Sequence, residues 1–282
     1  ALLAARRYAR FEREQFVSYF VLLRKSADQE ELLAGSRVDL VALFSNPELR
    51  SDLRAVLQPL RLGREIKSLL TAVPSVYTAI EPAATLDSVR EALRRYDPQV
   101  ALFSGHAFMG RLVFELPNGA IDLPSAAELL GTLQPDGVPG RLRCVVLNGC
   151  DTFEIGVGLV QAMPTSSVLC WSSPAEDGAA RAFARGFYDA IGTFLLARAP
   201  IDVELAYVAG FESFTESGYV YGDPTPYLHP PSHSHHLKPA FASCDGCTPP
   251  VHGRPVLVWS EGGEVTQHEP RTRRCGTPQP CT

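Results

Sequence analysis

Two residues of this chain combine the side-chain type and the setting for covalent chemistry. They are His106, in VALFSGHAFMG (100–110), and Cys150, in LRCVVLNGCDT (142–152). Each follows an apolar run, Val100–Phe103 or Cys144–Leu147, with the length and β-branched or aromatic content of a buried parallel strand. Each run breaks into small residues, Ser104-Gly105 and Asn148-Gly149, and the reactive side chain comes next. In an open α/β sheet function collects at the carboxyl ends of the strands, and neighbouring strands lie ~4.8 Å apart. If the two runs are parallel neighbours, an imidazole and a thiol stand side by side, within reach of one substrate carbonyl. That is a cysteine–histidine dyad: the thiolate attacks and the imidazole carries the proton. The backbone around Gly105, Ala107 and Gly149 would surround the developing oxyanion, with N–H groups near Ala107 and Cys150 as donors. A helix beginning beyond Cys150 and a protonated His106 would lower the thiol's pKa, whereas Asp151 would raise it.

The other candidate residues divide by position. Cys144 and Cys170 lie within strand-like runs and read as core. Ser104 and Asn148 are expected to tie down the two strand ends. Trp171, Ser172 and Ser173 follow a further strand and either line a substrate pocket or pack. Glu176 and Asp177 either meet a basic substrate side chain or cap the next helix. A second constellation lies in the tail, where Cys244 and Cys247 form a C-x-x-C and Cys275 and Cys281 lie beyond, with His252 and His268 between. Two cysteine pairs suit a structural zinc; the alternative is a flexible tail with free thiols or a redox pair. The dyad itself calls for no cofactor.

The elements that must position these groups are legible as βα units. Residues 1–36 read as a helical segment or linker, rich in Ala, Leu, Arg and Glu. Strands are expected at Val38–Phe44, Val76–Ile80, Val100–Phe103, Cys144–Leu147 and Ser167–Trp171. Helices are expected from about Leu49 to Thr71, bent at Pro59, and at Leu86–Tyr96 with Thr85 as its cap. Further helices fit Ala126–Leu133, Phe153–Gln161, Ala179–Ala197 and Val203–Phe211. Arg111–Leu116 alternates and ends in the turn signal Pro117-Asn118-Gly119. This alternation argues for an α/β fold, a mostly parallel sheet with helices on both faces. Eleven of the 23 prolines lie beyond Gly222, which limits regular structure there to one strand-like run, Val256–Trp259. The expected organisation is a segment 1–36, a domain 37–228 and an irregular Pro-, His- and Cys-rich extension 229–282.

Composition narrows the class. A chain of 282 residues with 45% hydrophobic content can bury a substantial core. A net charge of −5 gives no reason to invoke nucleic acid or an anionic membrane, and no apolar run approaches the ~18–20 residues of a span. Seven cysteines, an odd number, fit a reducing, cytoplasmic setting. Six of the seven histidines lie between His229 and His268, which leaves His106 alone in the globular part. The first residue is Ala rather than Met, so the sequence reads as a fragment or a processed form.

From about Val38 to Leu228 the sequence resembles a CHAT domain, a caspase-like cysteine peptidase group related to caspases and separases and often joined to TPR repeats. The resemblance rests on LFSNP at the first strand, FSGHA at the third, VVLNGCDT at the fourth and VLCW at the next. ARAFARGFYDAIG and YVYGDP complete the set, six motifs in order. Membership would make His106 and Cys150 the catalytic positions. The family usually has Gly after the histidine and Ala before the cysteine, where this chain has Ala107 and Gly149. The resemblance implies a cysteine endopeptidase acting on protein or peptide, controlled by upstream repeat domains or a regulatory protein. An inactive caspase-like binding module and a zinc-stapled interaction domain are the competing readings.

Overall fold

A computed structural model describes residues 37–47, 60–134, 140–222 and 251–268. Among these described residues eleven strands follow one another. The first three are β1 (Leu40–Ser45), β2 (Thr78–Pro82) and β3 (Val100–Gly105). Four short ones come next: β4 (Ala107–Phe108), β5 (Arg111–Leu112), β6 (Phe114–Glu115) and β7 (Ile121–Asp122). The last four are β8 (Cys144–Asn148), β9 (Ser167–Trp171), β10 (Pro255–Glu261) and β11 (Glu264–His268). Seven of them make the central sheet. Its five parallel strands run in the order β2-β1-β3-β8-β9, and β10 and β11 continue it beyond β9, both paired antiparallel. Among the described residues six helices connect or flank the strands: α1 (Leu62–Ala72), α2 (Leu86–Tyr96), α3 (Ala126–Leu133), α4 (Phe153–Ala162), α5 (Asp177–Leu196) and α6 (Val203–Glu216).

The pleat sorts the core into two layers. On β1, Leu40, Ala42 and Phe44 face one way, with Val41 and Leu43 facing the other, and β3 and β8 alternate in step. The first layer packs under α1, α5 and α6, and the second under α2, α3 and α4. The expected α/β architecture is thus observed, with a mostly parallel sheet covered on both faces. Local signals set the helix ends where caps exist. Thr85 accepts from the Ser88 N–H at 3.1 Å while Ser88 Oγ accepts from the Thr85 N–H at 3.0 Å, a reciprocal capping box. Only the last part of the helix expected from Leu49 falls within the described residues, as α1; residues 48–59 and the segment 1–36 lie outside them.

Two features differ from expectation. The run Arg111–Leu116 is not one strand. It is divided between β5, paired with β4, and β6, paired with β7. The break is at Val113, whose N–H donates to the His106 carbonyl at 2.9 Å, just past the β4–β5 pairing. The β4–β5 turn uses Met109 and Gly110, both at positive φ (51° and 70°), the conformation a two-residue hairpin turn requires. In the extension expected to be irregular apart from the run Val256–Trp259, that run lies in β10, and β10 and β11 both belong to the central sheet. Val256 and Val258 are fully buried, because β9 would otherwise present an open edge to water. No helix among the described residues is long and apolar enough to cross a membrane.

Candidate active site

The register of β3 against β8 decides the geometry. Ser104 pairs with Asn148, so Gly105, the last residue of β3, and Gly149, the first beyond β8, come side by side, and His106 and Cys150 are the next residues along each chain segment. The two breaks touch. A Cβ built on Gly149 would lie 3.0 Å from the Gly105 carbonyl oxygen, 3.5 Å from Ala107 N and 3.6 Å from Ala107 Cβ. Gly105 is as closely packed, since a Cβ there would meet the Ser45 carbonyl oxygen at 2.8 Å. Residues 105–107 and 149–150 therefore form one patch at the carboxyl edge, with His106 and Cys150 both half-buried.

Cys150 stands on a sharp turn between β8 and α4. Asp151, the next residue, is exposed and left-handed (φ 51°), and its N–H donates to the Ser173 carbonyl at 3.1 Å. The thiol itself meets the β9–α5 loop. The Ala175 N–H donates to Sγ at 3.4 Å, and the S–H is directed at the Ala175 carbonyl at 3.7 Å. Burial pushes the Cys150 thiol up; the hydrogen bond from Ala175 works the other way, and the charges of Asp151 and Asp177 add to the rise. Of the opposing influences read from the sequence, the raising contribution of Asp151 is found, joined by burial and Asp177. The sulfur is packed against the backbone of the loop that carries Ala175.

That loop is itself fastened by residues 252–254, just before β10. The Glu176 N–H donates to the His252 carbonyl (3.0 Å), the Ser172 N–H to the Arg254 carbonyl (2.9 Å), and the Arg254 N–H to Ser173 Oγ (3.0 Å). His252 Nδ1 accepts from the Val220 N–H at 3.0 Å, and Nε2 lies 3.7 Å from Glu176. Trp171 is fully buried and packs edge-on against Phe183, ring centroids 5.9 Å apart. It is core rather than pocket lining. Glu176 occupies the N-cap of α5 with no side-chain cap bond, and Asp177 pairs with Arg181 one turn on.

Ser104 and Asn148 do tie down the strand ends, through a residue that the sequence did not single out. Glu65, on α1 and only 4% exposed, accepts from Ser104 Oγ at 2.7 Å, from Asn148 Nδ2 at 2.9 Å and from the Tyr188 hydroxyl at 2.7 Å. Asn148 Oδ1 accepts from Trp171 Nε1 at 3.0 Å. Burial pushes the Glu65 carboxyl above its usual range, against three hydrogen bonds that pull it down. The available signal was a carboxylate at helical spacing with Leu62, Ile66 and Leu69, on the buried face of α1. Ala175 carried no comparable signal.

Cys144 and Cys170 are completely buried core thiols, and burial alone pushes Cys144 up to about 12 and Cys170 higher still. Cys244, Cys247, Cys275 and Cys281 lie outside the described residues. Among the described residues no group of three or more His, Cys, Asp or Glu side chains is arranged to hold a metal ion.

No family model and no curated protein sequence matches the chain. Among solved structures it is similar to the Arg-specific cysteine proteinase gingipain R (RGPB), at 10% identity and a TM-score of 0.41, over 69% of this chain and 47% of that one. The chain spans about half the length of that structure.

Proposed function

We propose that the chain is a caspase-like cysteine endopeptidase in which Cys150 is the nucleophile and His106 the proton carrier. One observation supports this reading: the β3–β8 register sets Gly149 against Gly105 and Ala107 at the carboxyl edge of a parallel sheet, with Cys150 and His106 the adjoining residues. In the proposed reaction Sγ forms a bond to the scissile carbonyl carbon as the thiol proton passes to His106. Backbone N–H groups of Ala107 and Cys150 receive the oxyanion, and Ala175, whose N–H already meets the sulfur, is a third donor. The C–N bond then breaks, His106 protonates the leaving amine, and water, deprotonated by His106, releases the acyl group and restores the thiol. No cofactor enters these steps. The substrate is a protein or peptide.

The resting thiol is held up and bonded to Ala175, so substrate or a partner must displace that contact before attack. This supports control by adjoining domains or a regulatory protein. The same observation favours the second reading, a module that binds peptide without cleaving it. A zinc-stapled tail built from Cys244, Cys247, Cys275 and Cys281 is compatible with either.

Labelling with a panel of peptidyl acyloxymethyl ketones decides between the two. A peptidase takes up label at Cys150, and Cys150→Ala abolishes it. Against a substrate found by library scan, His106→Ala and Cys150→Ala should each remove nearly all turnover, with the double variant scarcely worse, since the two act as one unit. Near wild-type cleavage by His106→Ala would assign the proton to another residue. Inertness of the wild type towards every probe and library, with candidate partners added, would select the binding module.

A further inference from the structure

The buried carboxyl of Glu65 has no place in the reaction above, and it is not explained as packing. The face of α1 that carries it is otherwise Leu62, Ile66 and Leu69, where an apolar side chain would fill the same space without desolvating a carboxyl group. What distinguishes Glu65 is where its partners lie. Ser104 is two residues before His106, and Asn148 is two residues before Cys150. Two residues of extended chain span roughly 6–7 Å. The intervening positions are glycines packed directly on neighbouring backbone, so little slack lies between anchor and reactive group.

We propose that Glu65 is a positioning residue for the His106–Cys150 pair, a single buried carboxyl group that holds the ends of β3 and β8 in common register through Ser104 and Asn148. The inference rests on the dyad reading above. Each strand takes a different oxygen: Oε2 accepts from Ser104 and Oε1 from Asn148. The rigid plane of the carboxyl group therefore sets the separation of the two anchors. Tyr188 fixes the carboxyl from α5. Trp171 holds the far end of the Asn148 amide, which makes its orientation the one that satisfies both ends. Of the titratable groups facing Glu65, Tyr188 is in contact and Asp177 acts at longer range.

The test measures coupling rather than stability. Alkylation of Cys150 by iodoacetamide at pH 7 is followed by mass spectrometry in the full chain, in which His106→Ala is expected to slow it about tenfold, less than the ~10²–10⁴ of full general acid–base catalysis because alkylation draws only on the thiolate. In a Glu65→Ala background with an unchanged near-UV circular dichroism spectrum, the same His106→Ala change should alter the rate by less than about twofold, because coupled residues fail additivity. Glu65→Gln, which keeps the shape and an acceptor oxygen, should restore most of the tenfold effect. Should Glu65→Ala fail to fold, Ser104→Ala and Tyr188→Phe remove one donor each at little change in volume, and each should at least halve the His106 effect. A full tenfold effect in folded Glu65→Ala, or in both single-donor variants, overturns the positioning role while leaving the dyad intact. No effect of His106→Ala in the wild-type chain overturns the dyad itself, and with it any residue that positions it.

Discussion

The three thiols among the described residues differ in how far they are removed from water. Cys144 and Cys170 have no exposed surface and sit in the two core layers, so they react only when the sheet opens. Cys150 is partly exposed and stands at the carboxyl edge, yet burial, Asp151 and Asp177 hold its thiol up. Its proton is therefore retained to a higher pH in the folded chain than in the unfolded one. Two consequences follow from that sign. Alkylation of the resting chain should modify Cys150 before Cys144 and Cys170 at every pH from about 7 to 9. Its rate should still be climbing where an ordinary thiol of pKa about 8.5 is levelling off. Asp151→Asn, which removes one of the charges, should speed the reaction at neutral pH. A plateau already reached below pH 8, or prior modification of either core cysteine, would contradict this account.

Among the elements, α5 does the most to hold the site in place. It brings Tyr188 to Glu65, packs Phe183 and Phe187 on the sheet, and lies close to both α1 and α6. Close approach depends on two residues without side chains. A Cβ on Gly192 would fall on the Ala72 carbonyl at the end of α1, and one on Gly186 would fall on the Ala209 carbonyl of α6. Both obstacles are backbone and cannot rotate away. Gly192→Ala should therefore destabilise the fold by about 1–3 kcal/mol, the usual range for overpacking, and should also disturb Cys150 alkylation by shifting α1 and its Glu65. Gly131, on the exposed side of α3, has nothing within 4 Å of where an added Cβ would lie, so Gly131→Ala should stabilise by roughly 0.5–1 kcal/mol. Urea denaturation of the two variants, run side by side, checks both signs.

For the molecule as a whole, the sheet is completed by chain that arrives last. β10 covers the edge of β9, and residues 252–254 fasten the loop that carries Ala175 against Cys150. The last two strands are thus part of the cooperative core and of the site's support. Val258, fully buried and in register with Val168, is a position where this can be tested. Val258→Asp would bury an unpaired carboxylate, and a loss of at least about 3 kcal/mol is expected, read as a lowered midpoint of a single urea transition. If 251–268 were a separate appendage, the midpoint reported by buried Trp171 would not move. The amino edge of the sheet is held independently: Arg141 reaches Asp39 at 2.9 Å, and Gln99 Nε2 donates to the same carboxylate.

The elements could be read from short windows of the chain. Helices α2 and α3 and strand β9 lie where periodicity and capping residues put them, because hydrophobic spacing and a Thr or Ser cap act over a few residues. His106 and Cys150 were marked in the same way, since a reactive side chain just past an apolar run and a glycine is a local pattern. Their surroundings could not be read so. That β3 and β8 are neighbours, and in a register that brings Gly105 against Gly149, depends on packing two helical layers across the pleat. The state of the Cys150 thiol depends on Ala175, 25 residues away, and the anchoring of Ser104 and Asn148 depends on Glu65, 39 and 83 residues away. The run Val256–Trp259 marked β10 as a strand, but the Pro-rich setting gave no sign of its place on the edge of β9, because local composition does not report whether a distant strand has an edge to fill. Burial, desolvation and hydrogen-bond partnership are sums over neighbours in space, and most of those neighbours are distant along the chain.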